Sequence, residues 1–310
     1  MRSFPLLTCR FHAEVDPHWG GWLGEHFGFP LPALPTRHTV WINQQPGPPP
    51  RSDFPEGAPA LELFREVVFL NRDPVFWLGS PAAGLRLEVS PPETRIRLWG
   101  QGPGLAEMLH LAVCEALRAA DLLPLHAAAA SREGAALLFF GPSGTGKTTT
   151  LVRALAAGWR LIAEDFCLLE GSSGGVYGLD RGLRLWPDTL ELLRQTFPEV
   201  REGLEPRPPG EHSPHKRFVS YEALGLIPHP AKVSALAVLA RDPTGPSHWE
   251  SLSPKDAALA LWQAGGVPLS RLGQGQAQRR ISALARGLKP YRLVLGDSPP
   301  DFLEEPRDLG

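Results

Sequence analysis

Apolar residues along the first hundred positions come in short runs of strand length: Leu6 to Phe11, His38 to Ile42, Glu66 to Leu70, Leu85 to Val89 and Arg95 to Trp99. Connectors rich in proline and glycine, such as Gln45 to Pro50, separate them. Many of the prolines fall between the runs, which suits sheet edges and turns and works against long helices. The pattern predicts a small, mostly β, N-terminal domain (α+β in class) over residues 1–100, with nothing in it that looks catalytic. After Gly102-Pro103-Gly104 the period changes, and Leu105, Met108, Leu109, Ala112, Val113, Ala116 and Leu117 recur at steps of three and four. That spacing predicts an amphipathic helix over 105–120.

Past Pro124 the chain reads as a segment over 125–130, a turn at Ser131-Arg132-Glu133-Gly134 and a buried strand over Ala135 to Phe140. A hairpin running straight into a glycine loop is expected. Helical pattern holds from Lys147 to Gly158, and Arg160 to Glu170 reads as one further strand, completing a strand, loop, helix, strand unit. Residues 101–310 are therefore expected to form an α/β domain. Val233 to Leu239 and Arg292 to Leu295 read as later strands. Ser253-Pro254-Lys255-Asp256 carries an N-cap serine, a proline in the first turn and an acid three residues on, and so opens a helix. Gly203 to Pro214 is rich in proline, glycine and charge and reads as an exposed loop, of the kind that acts as a lid beside nucleotide sites, leading into His215-Lys216-Arg217-Phe218.

Composition narrows the class without changing this outline. A chain of 310 residues, 43% apolar and 21% charged, can bury a full core. Its net charge of −2 gives no positive field to gather nucleic acid or an anionic membrane, so neither is an expected partner. The apolar run ending at Phe140 is of strand length, whereas a bilayer span takes roughly 20 residues. Cys9, Cys114 and Cys167 are odd in number and not spaced as metal-ligand pairs. They read as free, buried thiols of a reducing compartment, and with only a short apolar patch near Met1 the expected location is cytoplasmic. The only lysines are Lys147, Lys216, Lys232, Lys255 and Lys289.

The sharpest chemical signal is Gly141-Pro142-Ser143-Gly144-Thr145-Gly146-Lys147-Thr148, which fits the Walker A pattern between an apolar strand and a helix. In such a P-loop the backbone amides of Gly141, Ser143, Gly144, Thr145 and Gly146 and the helix start at Thr148 and Thr149 surround the phosphates. Lys147 reaches the β- and γ-phosphates and the Thr148 hydroxyl ligates Mg²⁺. ATP and Mg²⁺ are the expected cofactors. Glu164-Asp165, near the carboxyl end of the next strand, is the first candidate for the acidic partner: one carboxylate would ligate the metal while the other takes a proton from an acceptor hydroxyl. His126, one hairpin upstream, is a candidate proton carrier or metal ligand. Lys216 and Arg217, and after them Arg184, are candidates for neutralising charge on the transferred group.

The stretch from Leu122 to Leu169, with Leu-Pro-Leu-His, then Phe-Phe-Gly-Pro-Ser-Gly-Thr-Gly-Lys-Thr-Thr, then Gly-Trp-Arg-Leu-Ile-Ala-Glu-Asp, resembles HPr kinase/phosphorylase and its relatives. It is also similar to the corresponding stretch of ATP-dependent phosphoenolpyruvate carboxykinase, which shares that nucleotide-binding fold. The resemblance implies a P-loop core of that type and a kinase that moves the γ-phosphoryl group of ATP to a hydroxyl, with a protein or peptide serine as acceptor. It also implies that His126, Glu164 and Asp165 border the transferred group. The acidic pair is usually two aspartates in those families and Glu164 departs from that, so the resemblance implies Asp165 as the base and, with Thr148, as the metal ligand. No lysine precedes Lys147, where the carboxykinases use one at the metal, so carboxykinase chemistry is disfavoured. A later signature resembling Glu-Ile-Arg-Gly-Leu-Gly is met only in part by Asp180-Arg181-Gly182-Leu183-Arg184. A nucleotide-gated binding module without phosphotransfer is the alternative from another class. The sequence leaves oligomeric state, a homo-oligomer included, open.

Overall fold

A computed structural model describes residues 2–28, 31–49, 60–62, 68–79, 83–101, 104–197 and 216–297. The loop expected over 203–214 and His215 lie outside them. The chain is mixed α/β and divides into two compact units. One comprises residues 1–123 with 267–278, the other residues 124–266 with 279–310. Among the described residues, no helix is long and apolar enough to cross a membrane.

The first unit is built on eight strands: β1 (Arg2–Leu6), β2 (Cys9–Glu14), β3 (His38–Gln45), β4 (Ala60–Glu62), β5 (Val68–Arg72), β6 (Val75–Gly79), β7 (Ala83–Ser90) and β8 (Glu93–Gly100). They lie in the order β1-β2-β3-β8-β7-β6-β5-β4. The run expected as one strand from Leu6 to Phe11 is instead a hairpin that turns at Leu7-Thr8, with Leu6 paired to Cys9. Leu7 and Thr8 are both buried, and neither is the glycine, proline, asparagine or aspartate by which turns are most readily read from sequence. Its carbonyls accept instead from the amides of Leu34, Arg37 and His38. A helix was also missed: α1 (Pro17–Phe27) starts at Asp16, whose side chain accepts from the Trp19 amide at 3.0 Å, with Pro17 in its first turn.

The boundary expected after residue 100 falls later, because helix α2 (Leu105–Ala119) packs against β7 and belongs to the first unit. Residues 267–278 join the same unit through Glu115 of α2. Its fully buried carboxylate pairs with Arg118 at 3.1 Å and accepts from the Leu269 and Ser270 amides and from the Ser270 hydroxyl. A buried carboxylate is tolerable only when so compensated.

The second unit holds β9 (Leu122–His126, whose first residues belong to the other unit), β10 (Ala128–Arg132), β11 (Ala135–Phe140), β12 (Arg160–Ala163), β13 (Phe166–Glu170), β14 (Gly175–Gly178), β15 (Gly182–Leu185), β16 (Arg217–Ser220), β17 (Ala231–Arg241), β18 (His248–Ser251) and β19 (Lys289–Leu295). Helices α3 (Lys147–Ala156), α4 (Pro187–Thr196) and α5 (Pro254–Ala264) belong to this unit, and α6 (Arg271–Gly287) runs from the first unit into it. β10 and β11 form the expected hairpin. The parallel neighbours of the sheet centre are β11, β17 and β19. β11 is apolar on consecutive positions, as a strand covered on both faces must be. Leu137 and Phe139 pack with Leu151, Val152 and Leu155 of α3, and α5, capped by the Ser253 side chain as expected, lies against β11, β17 and β19.

The strand expected over 160–170 is broken in two at Glu164-Asp165. β12 pairs antiparallel with β10 rather than parallel with β11. Since β10 is itself antiparallel to β11, β12 still runs in the direction of β11 and ends at the same edge of the sheet.

Candidate functional site

Strand register brings the sequence-separated candidates to one edge. Ala128 pairs with Phe139 and Ala129 with Ala163. His126, Gly141 and Glu164 therefore emerge together, at the edge where β17 and β19 also end, with Arg241 and Leu295 beside the glycine loop. The carboxyl ends of strands are where α/β sheets place ligands.

The loop from Gly141 to Gly146 is shaped by its own small residues. Gly144 and Gly146 have φ of 84° and 106°, a region that L side chains rarely adopt, and Gly146 leads directly into α3. Thr145 folds back on the loop: its hydroxyl donates to the Pro142 carbonyl at 2.8 Å. A Cβ on Gly141 would meet the Thr145 side chain. Pro142, Ser143 and Gly144 are exposed. At the base of the loop, Lys147 is buried and its Nζ donates to the Gly141 carbonyl at 2.8 Å. Desolvation lowers its pKa, opposed by the carboxylates of Asp165 and Glu164, while Lys216 adds to the lowering. The first turn of α3 projects amides at the start of a helix dipole, a ready site for an anion.

Below the loop, the two acids separate into different roles. Thr148 Oγ1 donates to Glu164 Oε1 at 2.5 Å. Glu164 is buried and its other oxygen, Oε2, has no hydrogen-bond partner among the described residues; Arg184 Nη1 of β15 stands 3.7 Å from it. Burial pushes the Glu164 carboxyl up to about 8, helped by Asp165 and Asp180 and opposed by Thr148 and Arg184. Asp165 instead meets His126, with Oδ1 3.2 Å from Nδ1, and both side chains are partly exposed. Desolvation of the inner side of the imidazole holds His126 below its ordinary value despite the neighbouring Asp165. Of the two residues expected as metal ligands, Thr148 is hydrogen-bonded to Glu164 and Asp165 stands against His126.

The break that separates the acids is held by Asp180, whose carboxylate accepts from the amides of Glu164 (2.7 Å), Asp165 (2.8 Å) and Phe166 (3.1 Å). Burial raises the Asp180 pKa to about 6, against the pull of those amides. Tyr221 is buried nearby, its pKa raised by burial and then by Asp180 and Glu164. Sequence reading gave Asp180 no role in the site, since nothing local ties it to amides fifteen residues away. It also missed Thr189, which exchanges a 2.8 Å hydrogen bond with Thr149, and Arg241, whose Nε donates to the Thr145 carbonyl at 3.4 Å.

Of the basic candidates, Arg184 joins the site through Glu164. Lys216 Nζ lies over the Trp186 ring, 5.9 Å from its centre, near enough to the site to lower the pKa of both Lys147 and His126. Arg217 is exposed at the start of β16 opposite Leu185, and among the described residues no hydrogen bond or ion pair joins it to the loop.

Among the described residues no group of three or more His, Cys, Asp or Glu side chains is arranged to hold a metal. What the site offers is oxygen: the Thr148 hydroxyl, Glu164 with one buried oxygen unpartnered, and the adjoining Asp165. That donor set suits a small hard cation that keeps its waters and completes its shell with phosphate oxygens, and it does not suit a thiophilic one.

No protein-family model matches the chain, and no curated protein matches its sequence.

Proposed function

We propose that the chain is an ATP-dependent kinase of the HPr-kinase-like kind, transferring the γ-phosphoryl group to a hydroxyl, with a protein or peptide serine as the acceptor. The observation that carries this reading is the division of the acidic pair, with Glu164 bonded to Thr148 at the helix start and Asp165 facing His126 beside it. In this reading Gly141 to Gly146 is a P-loop whose amides bind the phosphates, and Lys147 exchanges the Gly141 carbonyl for phosphate oxygens. Thr148 and Glu164 would hold Mg²⁺, which neutralises charge on the β- and γ-phosphates.

Asp165 serves as base. The His126 imidazole, whose pKa is lowered by burial, would donate its Nδ1 proton to one Asp165 oxygen and so orient the other toward the incoming hydroxyl. The acceptor oxygen forms its bond to the γ-phosphorus as the bond to the bridging oxygen of ADP breaks, and the hydroxyl proton passes to Asp165. Lys147 and Arg184 supply fixed positive charge at this edge. Oligomeric state does not enter this reading.

The test is transfer of labelled γ-phosphate from Mg-ATP to a library of serine-containing peptides. Wild type should label peptides, and Asp165→Asn should bind Mg-ATP but transfer nothing. Tight binding with neither transfer nor phosphate release by the wild type would replace the kinase with a nucleotide-gated binding module. Consumption of ATP dependent on oxaloacetate would favour the carboxykinase instead.

A further inference from the structure

In a strand, successive amides point to opposite sides, so three consecutive N–H groups cannot reach one acceptor. The amides of Glu164, Asp165 and Phe166 nevertheless converge on Asp180 Oδ2, at 2.7, 2.8 and 3.1 Å. The chain between β12 and β13 is therefore curled around that oxygen. Such a concavity of amides binds a negative group, and here the group comes from the protein itself.

The approach of Asp180 is built in. A Cβ on Gly178, at the end of β14, would collide with the Ile162 carbonyl of β12, so only glycine lets the two backbones come this close. The Leu179 amide then donates to the Phe166 carbonyl at 2.9 Å, which fixes the next residue beneath the bend. The bend has a consequence for the acids it carries. Glu164 and Asp165 are adjacent, yet one reaches inward to Thr148 and the other outward to His126.

From this geometry we infer that Asp180 is a positioning residue for the phosphate site: it holds the 164–166 bend that aims Glu164 at Thr148 and Asp165 at His126. The inference rests on the kinase reading above and extends it to a residue that touches neither nucleotide nor acceptor. Its action passes through backbone amides, so what matters is an acceptor oxygen in the place of Oδ2 and not the negative charge.

The experiment measures ATP binding by calorimetry to the full chain, with and without Mg²⁺, for wild type, Asp180→Ala and Asp180→Asn. Groups that orient a metal ligand typically cost about 10- to 100-fold in metal affinity when removed. Asp180→Ala should lose the affinity that Mg²⁺ adds by that factor, while its metal-free ATP binding changes by about twofold or less, since Lys147 and the loop amides are untouched. Asp180→Asn keeps an acceptor oxygen and should restore most of the Mg²⁺ effect. Amide hydrogen exchange without nucleotide should show protection at residues 164–166 lost in the first variant and kept in the second.

An Asp180→Ala protein that keeps the full Mg²⁺ effect would overturn the inference. So would one that loses metal-free and Mg²⁺-dependent binding equally, which is the mark of a purely structural residue. Should that variant not fold, Asp180→Ser is read by the same criteria, and failure of both to fold also assigns Asp180 to structure alone. A wild type that binds ATP in neither condition refutes the kinase reading itself, and the exchange data then report on the bend by themselves.

Discussion

Replacing Glu164 with glutamine separates the carboxylate's charge from its shape. In the folded chain burial lifts this carboxyl to about 8 from an ordinary 4.5. The sign follows from proton counting: between those values the folded protein holds a proton that the unfolded chain has released. Stability from this group is fully present below the lower value and is lost as pH rises through the upper one. The slope in the window approaches about 1.4 kcal/mol per pH unit, so wild type should lose about 2 kcal/mol between pH 6 and pH 8 on account of Glu164. Glu164→Gln has no proton to lose and keeps an oxygen for Thr148. Urea unfolding of both proteins at pH 6, 7 and 8 should therefore show the variant gaining on wild type by that amount, while its response to Mg²⁺ in ATP binding disappears. Parallel stability curves over this range would refute the argument that Glu164 is a buried, largely protonated acid.

Two predictions concern parts of the second unit away from the loop. Burial alone would raise the Glu170 pKa, but the Ser172 and Ser173 hydroxyls and amides overcome this and hold it at about 2. Its stabilisation should be present above pH 4.5 and fall away toward pH 2, so Glu170→Gln should flatten the acid limb of a stability curve followed by circular dichroism. Ser253→Ala removes the side-chain acceptor for the Asp256 amide at the start of α5, and should lower unfolding free energy by about 1 kcal/mol in denaturant titration.

Much of the candidate site was legible because its signals are local. The apolar run ending at Phe140, the glycine spacing and the helical period after Lys147 each fix backbone conformation within a few residues, and β11, the loop and α3 form as that pattern requires. The hairpin before the loop was legible for the same reason, its turn marked by Glu133 and Gly134, both at positive φ. Where the local signal was silent, reading failed. The β1–β2 turn is buried and holds no glycine, proline, asparagine or aspartate, and α1 was hidden among prolines, one of which in fact starts it.

The sequence by itself settled which residues form the loop, its flanking strand and helix, and which acids, histidine and lysines are available to it. Tertiary structure decided how they are shared out. The break at Glu164-Asp165 depends on a carboxylate fifteen residues away, and Arg184 arrives from a separate two-stranded ribbon. α2 joins the first unit by packing against β7, and the buried Glu115 on it bonds Leu269 and Ser270 of residues 267–278. Periodicity and capping are properties of neighbouring residues, whereas strand register and the compensation of buried charge join residues whose separation along the chain carries no pattern.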